Sequence, residues 1–229
     1  VLIPKLRPGQ VLVKIKYTGV CHSQLMEAKG LRGKDNYLPH MLGHEGVGEV
    51  VDIGPDVTKV DVGENVVMGW IKGSGIDAGG TVYDTKSGLK INAGAITTFS
   101  EYAVVSENRL VKKPENTPAE LAVLYGCAVP TGAGILLNKI KKEDAPNLTI
   151  VFFGLGGIGF SAFLATKAFN FKKVIAVDIA DEKLELAANL GADHIINASE
   201  VDPVSAIMDI TKGAGVDFSI ESAGQVKTI

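Results

Sequence analysis

The hexapeptide Gly154-Leu155-Gly156-Gly157-Ile158-Gly159 constrains this chain more than any other stretch of it. It follows Leu148–Phe153, an apolar run without alternation, as a strand covered on both faces requires. It opens Ile158–Phe169, a helix candidate. A G-x-G-x-x-G turn between a buried strand and a helix is the fingerprint of a dinucleotide-binding unit. Gly154 permits the tight turn, Gly156 lets a pyrophosphate approach the backbone at the helix N-terminus, and Gly159 allows close helix–strand packing. With Gly157 and Ile158 between them, these residues form the candidate cofactor-binding segment.

Strand and helix patterns alternate from there on. Lys173–Asp178 reads as a second strand, and Asp181 as the cap of a helix through Leu190, with Gly191 as its stop. His194–Ile196 and Val216–Glu221 read as two more strands, with a short helix at Pro203–Lys212 between them. Strands joined by helical crossovers predict a parallel, doubly wound sheet over residues 129–229. In the strand order 3-2-1-4-5-6, Val216–Glu221 is strand four, and as the chain is written it would be an open apolar edge. Asp178 ends the second strand, close to the spacing of about 20 residues expected for the acid that binds the adenine ribose. Its carboxylate would repel a 2′-phosphate, which favours NAD over NADP. The plainer alternative for Asp178 is a turn or capping residue. Lys183 either reaches the same ribose or is an ordinary solvated lysine.

Residues 1–128 read as β instead. Val11, Val13, Ile15 and Tyr17 alternate with Leu12, Lys14, Lys16 and Thr18. Short β-rich runs follow at Gly46–Ile53, Asn65–Met68 and Tyr102–Val105, which suggests a barrel-like domain. Lys72–Ala95, rich in Gly, Ser, Asp and Lys, reads as a long surface excursion. Thr117-Pro118-Ala119-Glu120 has the pattern of a capping box opening a helix towards Tyr125.

Composition excludes several classes. A net charge of −3 gives no footprint for nucleic acid or an anionic membrane. No apolar run approaches the roughly 20 residues of a membrane helix. Val1–Lys5 lacks the features of a signal peptide, so a cytoplasmic protein is expected. Two cysteines, Cys21 and Cys127, are too few for a disulfide scaffold in a chain of 229 residues. Together with His44 they make a Cys₂His set, which suits a catalytic zinc with an open fourth position. The bland alternative is two buried structural thiols.

The chain resembles the medium-chain zinc-dependent alcohol dehydrogenases. The segments that carry the resemblance are Gly19–Ser23, Gly43–Val50 (GHEGVGEV), Cys127–Gly132 (CAVPTG), Gly154–Gly159 and Val177-Asp178. Their order matches that family along the whole chain, with the expectation of a C-terminal truncation. The resemblance implies an α/β fold: a GroES-like β-rich catalytic domain (1–128) followed by a partial Rossmann doubly wound parallel sheet (129–229), with the active site in the cleft between them. It implies that Cys21, His44 and Cys127 ligate the catalytic zinc, with Glu45 close to the metal or coordinating it. Ser23 would contact the substrate oxygen and pass on its proton. Thr131 would line the nicotinamide, His22 would contact the cofactor pyrophosphate, and Trp70 would line the substrate pocket or belong to the core. Zinc would act as a Lewis acid on the alcohol oxygen, and hydride would pass from the carbinol carbon to NAD. Short alcohols, polyols and sugar derivatives all suit that chemistry, and the full-length form would be a dimer or tetramer.

Three departures matter. Lys72–Ala95 contains no cysteine, so one zinc is expected and no structural zinc. Met26 stands where some relatives carry a relay histidine, and Met carries no proton, so release would run through Ser23, ribose and water, or through His22. Gln24 stands where an Asp often orients the zinc-binding His, and its amide oxygen is expected to accept that N–H. His40 and His194 read as non-functional. Two alternatives are a zinc-free, NADP-dependent quinone reductase-like enzyme and a non-catalytic nucleotide-binding relative.

Overall fold

The computed structural model describes residues 1–228; Ile229, the last residue of the expected second domain, lies outside them. The chain divides into two compact units, Val1–Cys127 and Ala128–Ile229, one residue before the expected boundary.

The first unit holds β1 (Gln10–Thr18), α1 (His22–Ala28), β2 (Gly46–Ile53), β3 (Asn65–Met68), β4 (Thr81–Asp84), β5 (Lys90–Gly94), β6 (Tyr102–Ser106), β7 (Leu110–Lys112) and a short α2 (Ala119–Ala122). Five strands form an antiparallel sheet in the order β6-β1-β2-β3-β7. The alternation in β1 explains the sheet's sidedness. Val11 and Val13 point into a core with Val50, Val66, Met68 and Leu110, while Lys14 and Lys16 are exposed. Burying each such aliphatic side chain contributes roughly 1.5–3 kcal/mol.

Lys72–Ala95 differs from the sequence expectation, because it contains the hairpin β4-β5. Its strands are too short to display a period against their polar surroundings. Thr81 and Tyr83 face inward while Val82 and Asp84 face out. Tyr83 packs with Ala93, Val104, Leu6, Leu12 and Met41 in a small core of its own. Its hydroxyl accepts a 2.7 Å hydrogen bond from the Val104 N–H on β6, the strand at the sheet edge. Tyr83→Phe leaves that buried donor without its acceptor, so unfolding in urea should show a loss of about 1–3 kcal/mol. An unchanged midpoint and slope would contradict this account.

The capping box is also corrected. Pro118 itself is the N-cap, with ψ 142°, and among the described residues no side chain caps the helix. The Pro118 carbonyl accepts from the N–H of Leu121 and Ala122, the role expected one residue earlier. A tight turn at Val123–Gly126 then leads to Cys127.

The second unit holds α3 (Ala128–Lys139), β8 (Thr149–Phe153), α4 (Gly157–Ala165), β9 (Lys173–Asp178), α5 (Asp181–Asn189), β10 (His194–Asn197), α6 (Pro203–Ile210) and β11 (Phe218–Glu221). Its four strands are parallel, in the order β10-β9-β8-β11, which is the expected 3-2-1-4. Both faces are covered, as the unbroken apolar runs require. Phe152, Ala176, Phe163, Leu136 and Leu184 pack on one side, and Val151, Ile175, Val177, Ile196 and Ile207 on the other. Ala180, not Asp181, is the N-cap of α5. Asp181 sits in the first turn, where its charge suits the helix dipole, and accepts from Asn197 Nδ2 at 2.7 Å. Gly191 follows α5 with φ +98°, as a helix stop requires. Among the described residues no single helix is long and apolar enough to cross a membrane.

Candidate functional site

Three separate stretches of the first unit converge through hydrogen bonds and packing. After β1, Gly19 N–H and Thr18 Oγ1 both donate to the Glu45 carbonyl, at 3.2 and 3.1 Å. This ties the segment entering Cys21 to the segment entering β2. The Leu42 carbonyl accepts from Thr98 and Phe99 N–H at 3.2 and 3.0 Å, which holds the approach to His44. The turn before Cys127 packs on β2 and β3. As a result the Sγ atoms of Cys21 and Cys127 and a ring nitrogen of His44 lie within 4.8 Å of one another. Cys127 is buried, and Cys21 and His44 are half-buried.

This group fits zinc. Zn–S and Zn–N bonds of about 2.3 and 2.0 Å put tetrahedral donors about 3.5–3.8 Å apart, a spacing the cluster accommodates. Thiolate with imidazole is a soft donor set, unlike the oxygen cages of magnesium or calcium. His44 Nδ1 lies 3.0 Å from Gln24 Nε2, while His44 Nε2 is buried with no hydrogen-bond partner among the described residues. Burial holds the His44 pKa below its usual value against the nearby Glu27 carboxylate, and Arg32 adds to the lowering, so the imidazole is kept neutral.

The other expected residues fall at varied distances from this centre. Glu45 is buried beside Gly19 and lies outside the three-member group. Ser23 is half-buried in the first turn of α1, and His22 before it is exposed. Trp70 is 48% exposed, so it is not a core residue.

One expectation is corrected here. The Gln24 oxygen does not face His44, because it accepts the Gly43 N–H, and the amide nitrogen therefore points at Nδ1. His40, expected to be non-functional, sits in a network of polar contacts. Its Nε2 lies 2.6 Å from Asp35 Oδ2 and 3.6 Å from Glu27 Oε1. The Met41 carbonyl, with Asp35 and Glu27, raises the His40 pKa against partial burial. Gln24, Glu27, His40 and His44 line a common cavity of about 500 Å³. The only sequence hint of this network was a set of polar side chains between Gln24 and His44, which proximity in the chain alone does not distinguish from a loop.

In the second unit the glycine-rich turn has the anticipated geometry. Gly154 has φ +87°. A Cβ at Gly159 would stand 1.9 Å from the Gly154 carbonyl oxygen, so no larger residue fits there. A Cβ at Gly156 would meet nothing within 4 Å, which leaves open space above the turn where α4 begins at Gly157. Ile158 is half-buried, and its carbonyl comes so close to Gly132 that α3 and α4 pack tightly there. Beside Gly132, the Thr131 Oγ1 is buried and lacks a hydrogen-bond partner among the described residues. Asp178 Oδ2 accepts the Leu155 N–H at 2.6 Å, and Oδ1 accepts from Ile179 and Ala180. Lys183 Nζ lies 3.6 Å from Oδ2. Burial opposes ionisation of Asp178, but these three N–H groups and Lys183 outweigh it and hold its carboxyl below the usual range.

Residues 7–115 match the alcohol dehydrogenase GroES-like domain, and residues 157–229 match the zinc-binding dehydrogenase family. An S-(hydroxymethyl)glutathione dehydrogenase of Paracoccus denitrificans is 30% identical over 254 residues, covering 97% of this chain and 67% of that relative. The chain belongs to the medium-chain zinc-dependent alcohol dehydrogenase family. A second member of this family, also an S-(hydroxymethyl)glutathione dehydrogenase, from Synechocystis sp., is 33% identical over 246 residues, covering 96% of this chain. The chain spans 66% of that relative's length. Among solved structures of alcohol dehydrogenases, the benzyl alcohol dehydrogenase of Acinetobacter calcoaceticus superposes with a TM-score of 0.83 at 35% identity, over 99% of this chain and 66% of that one.

Proposed function

We propose that this chain transfers hydride between an alcohol or polyol and NAD, with one catalytic zinc and no structural zinc. The observation that carries the reading is the convergence of Cys21, His44 and Cys127, with a buried His44 Nε2 that lacks a hydrogen-bond partner among the described residues. These three side chains would hold the metal, and Glu45 would stand beside it. Zinc, when bound, supplies a Lewis acid for the substrate oxygen, and NAD supplies the hydride acceptor. The chain's own residues do the rest. The Ser23 hydroxyl takes the proton from the substrate hydroxyl and passes it towards ribose and water, or to His22 at the surface. Thr131 positions the nicotinamide. Gly154, Gly156, Gly157, Ile158 and Gly159 receive the pyrophosphate at the α4 N-terminus. Asp178 accepts from the adenine ribose hydroxyls, and Lys183 supports it. The whole protein would be a cytoplasmic homodimer or homotetramer.

A rate panel tests this reading: NAD reduction by short alcohols, polyols, benzyl alcohol and S-(hydroxymethyl)glutathione, with and without a zinc chelator. Chelator-sensitive turnover of at least one alcohol is expected. Chelator-insensitive reduction of quinones by NADPH would overturn the reading.

Asp178→Asn tests the cofactor assignment separately. The variant keeps the shape but loses the charge, and it turns one of the two oxygens that accept from Leu155, Ile179 and Ala180 into a donor. One charge-assisted hydrogen bond is worth about 1.5–3 kcal/mol, so the preference for NAD over NADP in kcat/KM should fall about tenfold or more. An unchanged preference would place discrimination elsewhere.

A further inference from the structure

The amide of Gln24 sits between two groups that make conflicting demands on it. Its oxygen accepts the Gly43 N–H, and its nitrogen lies 3.4 Å from Glu27 Oε2 and 3.0 Å from His44 Nδ1. A backbone donor on one side and a carboxylate on the other fix which end is oxygen and which is nitrogen. The amide N–H therefore points at His44 Nδ1, which must act as the acceptor. A neutral imidazole carries one proton, so that proton sits on Nε2. Nε2 is the buried nitrogen without a hydrogen-bond partner among the described residues.

A metal needs the opposite tautomer. The ligating nitrogen must offer its lone pair, and the other nitrogen then holds the proton and requires an acceptor. Resting on the zinc reading above, we propose that Gln24 is a positioning residue that holds His44 in the tautomer unfit for metal, so that zinc uptake sets the Gln24 NH₂ against either the Nδ1–H or the Gly43 N–H. The proton that Nε2 gives up is matched by the one that Nδ1 gains, so the imidazole stays neutral. The turned amide accepts from Nδ1, but its NH₂ then faces the Gly43 N–H. With zinc on Nε2, either orientation leaves one donor facing another. A single amide oxygen serves one of the two N–H groups well, whereas a carboxylate of the same shape offers an acceptor to each. Gln24 thus weakens the hold on zinc relative to an acid at this position.

The test uses the whole chain. Because Glu27 would repel a new carboxylate, Q24E is made in an E27Q background and compared with E27Q alone. Zinc affinity is read by competition with a chromogenic chelator, and the His44 tautomer by ¹⁵N–¹H correlation of the imidazole in the metal-free wild type. The expected results are a proton on Nε2 without metal, and zinc held at least about tenfold tighter by Q24E/E27Q than by E27Q. A proton on Nδ1 in the metal-free protein, or equal zinc affinities in the pair, would overturn the inference and leave the zinc site standing. Failure of every one of these proteins to take zinc would overturn the site and the inference together.

Discussion

Replacing Cys127 by alanine should remove stoichiometric zinc and lower kcat/KM for alcohol oxidation by at least about 10³-fold, equivalent to about 4 kcal/mol of lost transition-state stabilisation. Cys127 is 6% exposed and ends the first unit, and it is one of three donors in the converging group. With it gone, a thiolate and an imidazole remain, too few to hold the ion against solvent. The fold should tolerate the change, since alanine fills most of the space of a small buried thiol. Metal analysis and kinetics, with the circular dichroism spectrum as a check on folding, give the answer. Full zinc content at an unchanged rate would show that Cys127 is a structural thiol only.

The second large effect concerns stability. Glu107 is fully buried. Its Oε1 accepts the N–H groups of Thr58 and Lys59, both at 2.7 Å, and its Oε2 accepts that of Ile76 at 2.7 Å. One carboxylate thus joins the loop after β2, the segment before β4 and the end of β6. Burial works to raise its pKa, but the three N–H groups and Lys59 lower it further than burial raises it. Glu107→Gln replaces an acceptor with a donor facing N–H groups, at a cost of about 2–4 kcal/mol in urea unfolding near neutral pH. The sign of the pH dependence follows from the lowered pKa. The stabilisation is complete above the unfolded value of about 4.3 and is lost as pH falls through the lower folded value. The gap between wild type and variant should therefore be constant from about pH 6 to 7 and narrow in acid. A gap that widens in acid would contradict this.

Much of the architecture was legible because periodic patterns report faces. The apolar run before Gly154 reads as a strand covered on both sides, and Lys173–Asp178 as a second strand beside it, which together order the parallel sheet. Cys21, His44 and Cys127 were legible as types suited to one metal, although only the fold brings them together. Other features carry no local signal. Tyr83 alternates over too few residues to announce a hairpin. Glu107 looks like any surface acid until three loops are seen to depend on it. Pro118 caps α2 by its carbonyl, which a pattern of side chains does not encode. Gln24 was legible as a departure from an acid, but its amide orientation depends on the Gly43 N–H and on Glu27, and the chain order does not reveal that contest.

The most direct test is X-ray absorption at the zinc edge of the metal-loaded chain, with metal analysis alongside. One zinc per chain with two sulfur neighbours near 2.3 Å and an imidazole nitrogen near 2.0 Å is the expected result. A shell of oxygen and nitrogen alone, or one of four sulfurs, would contradict it.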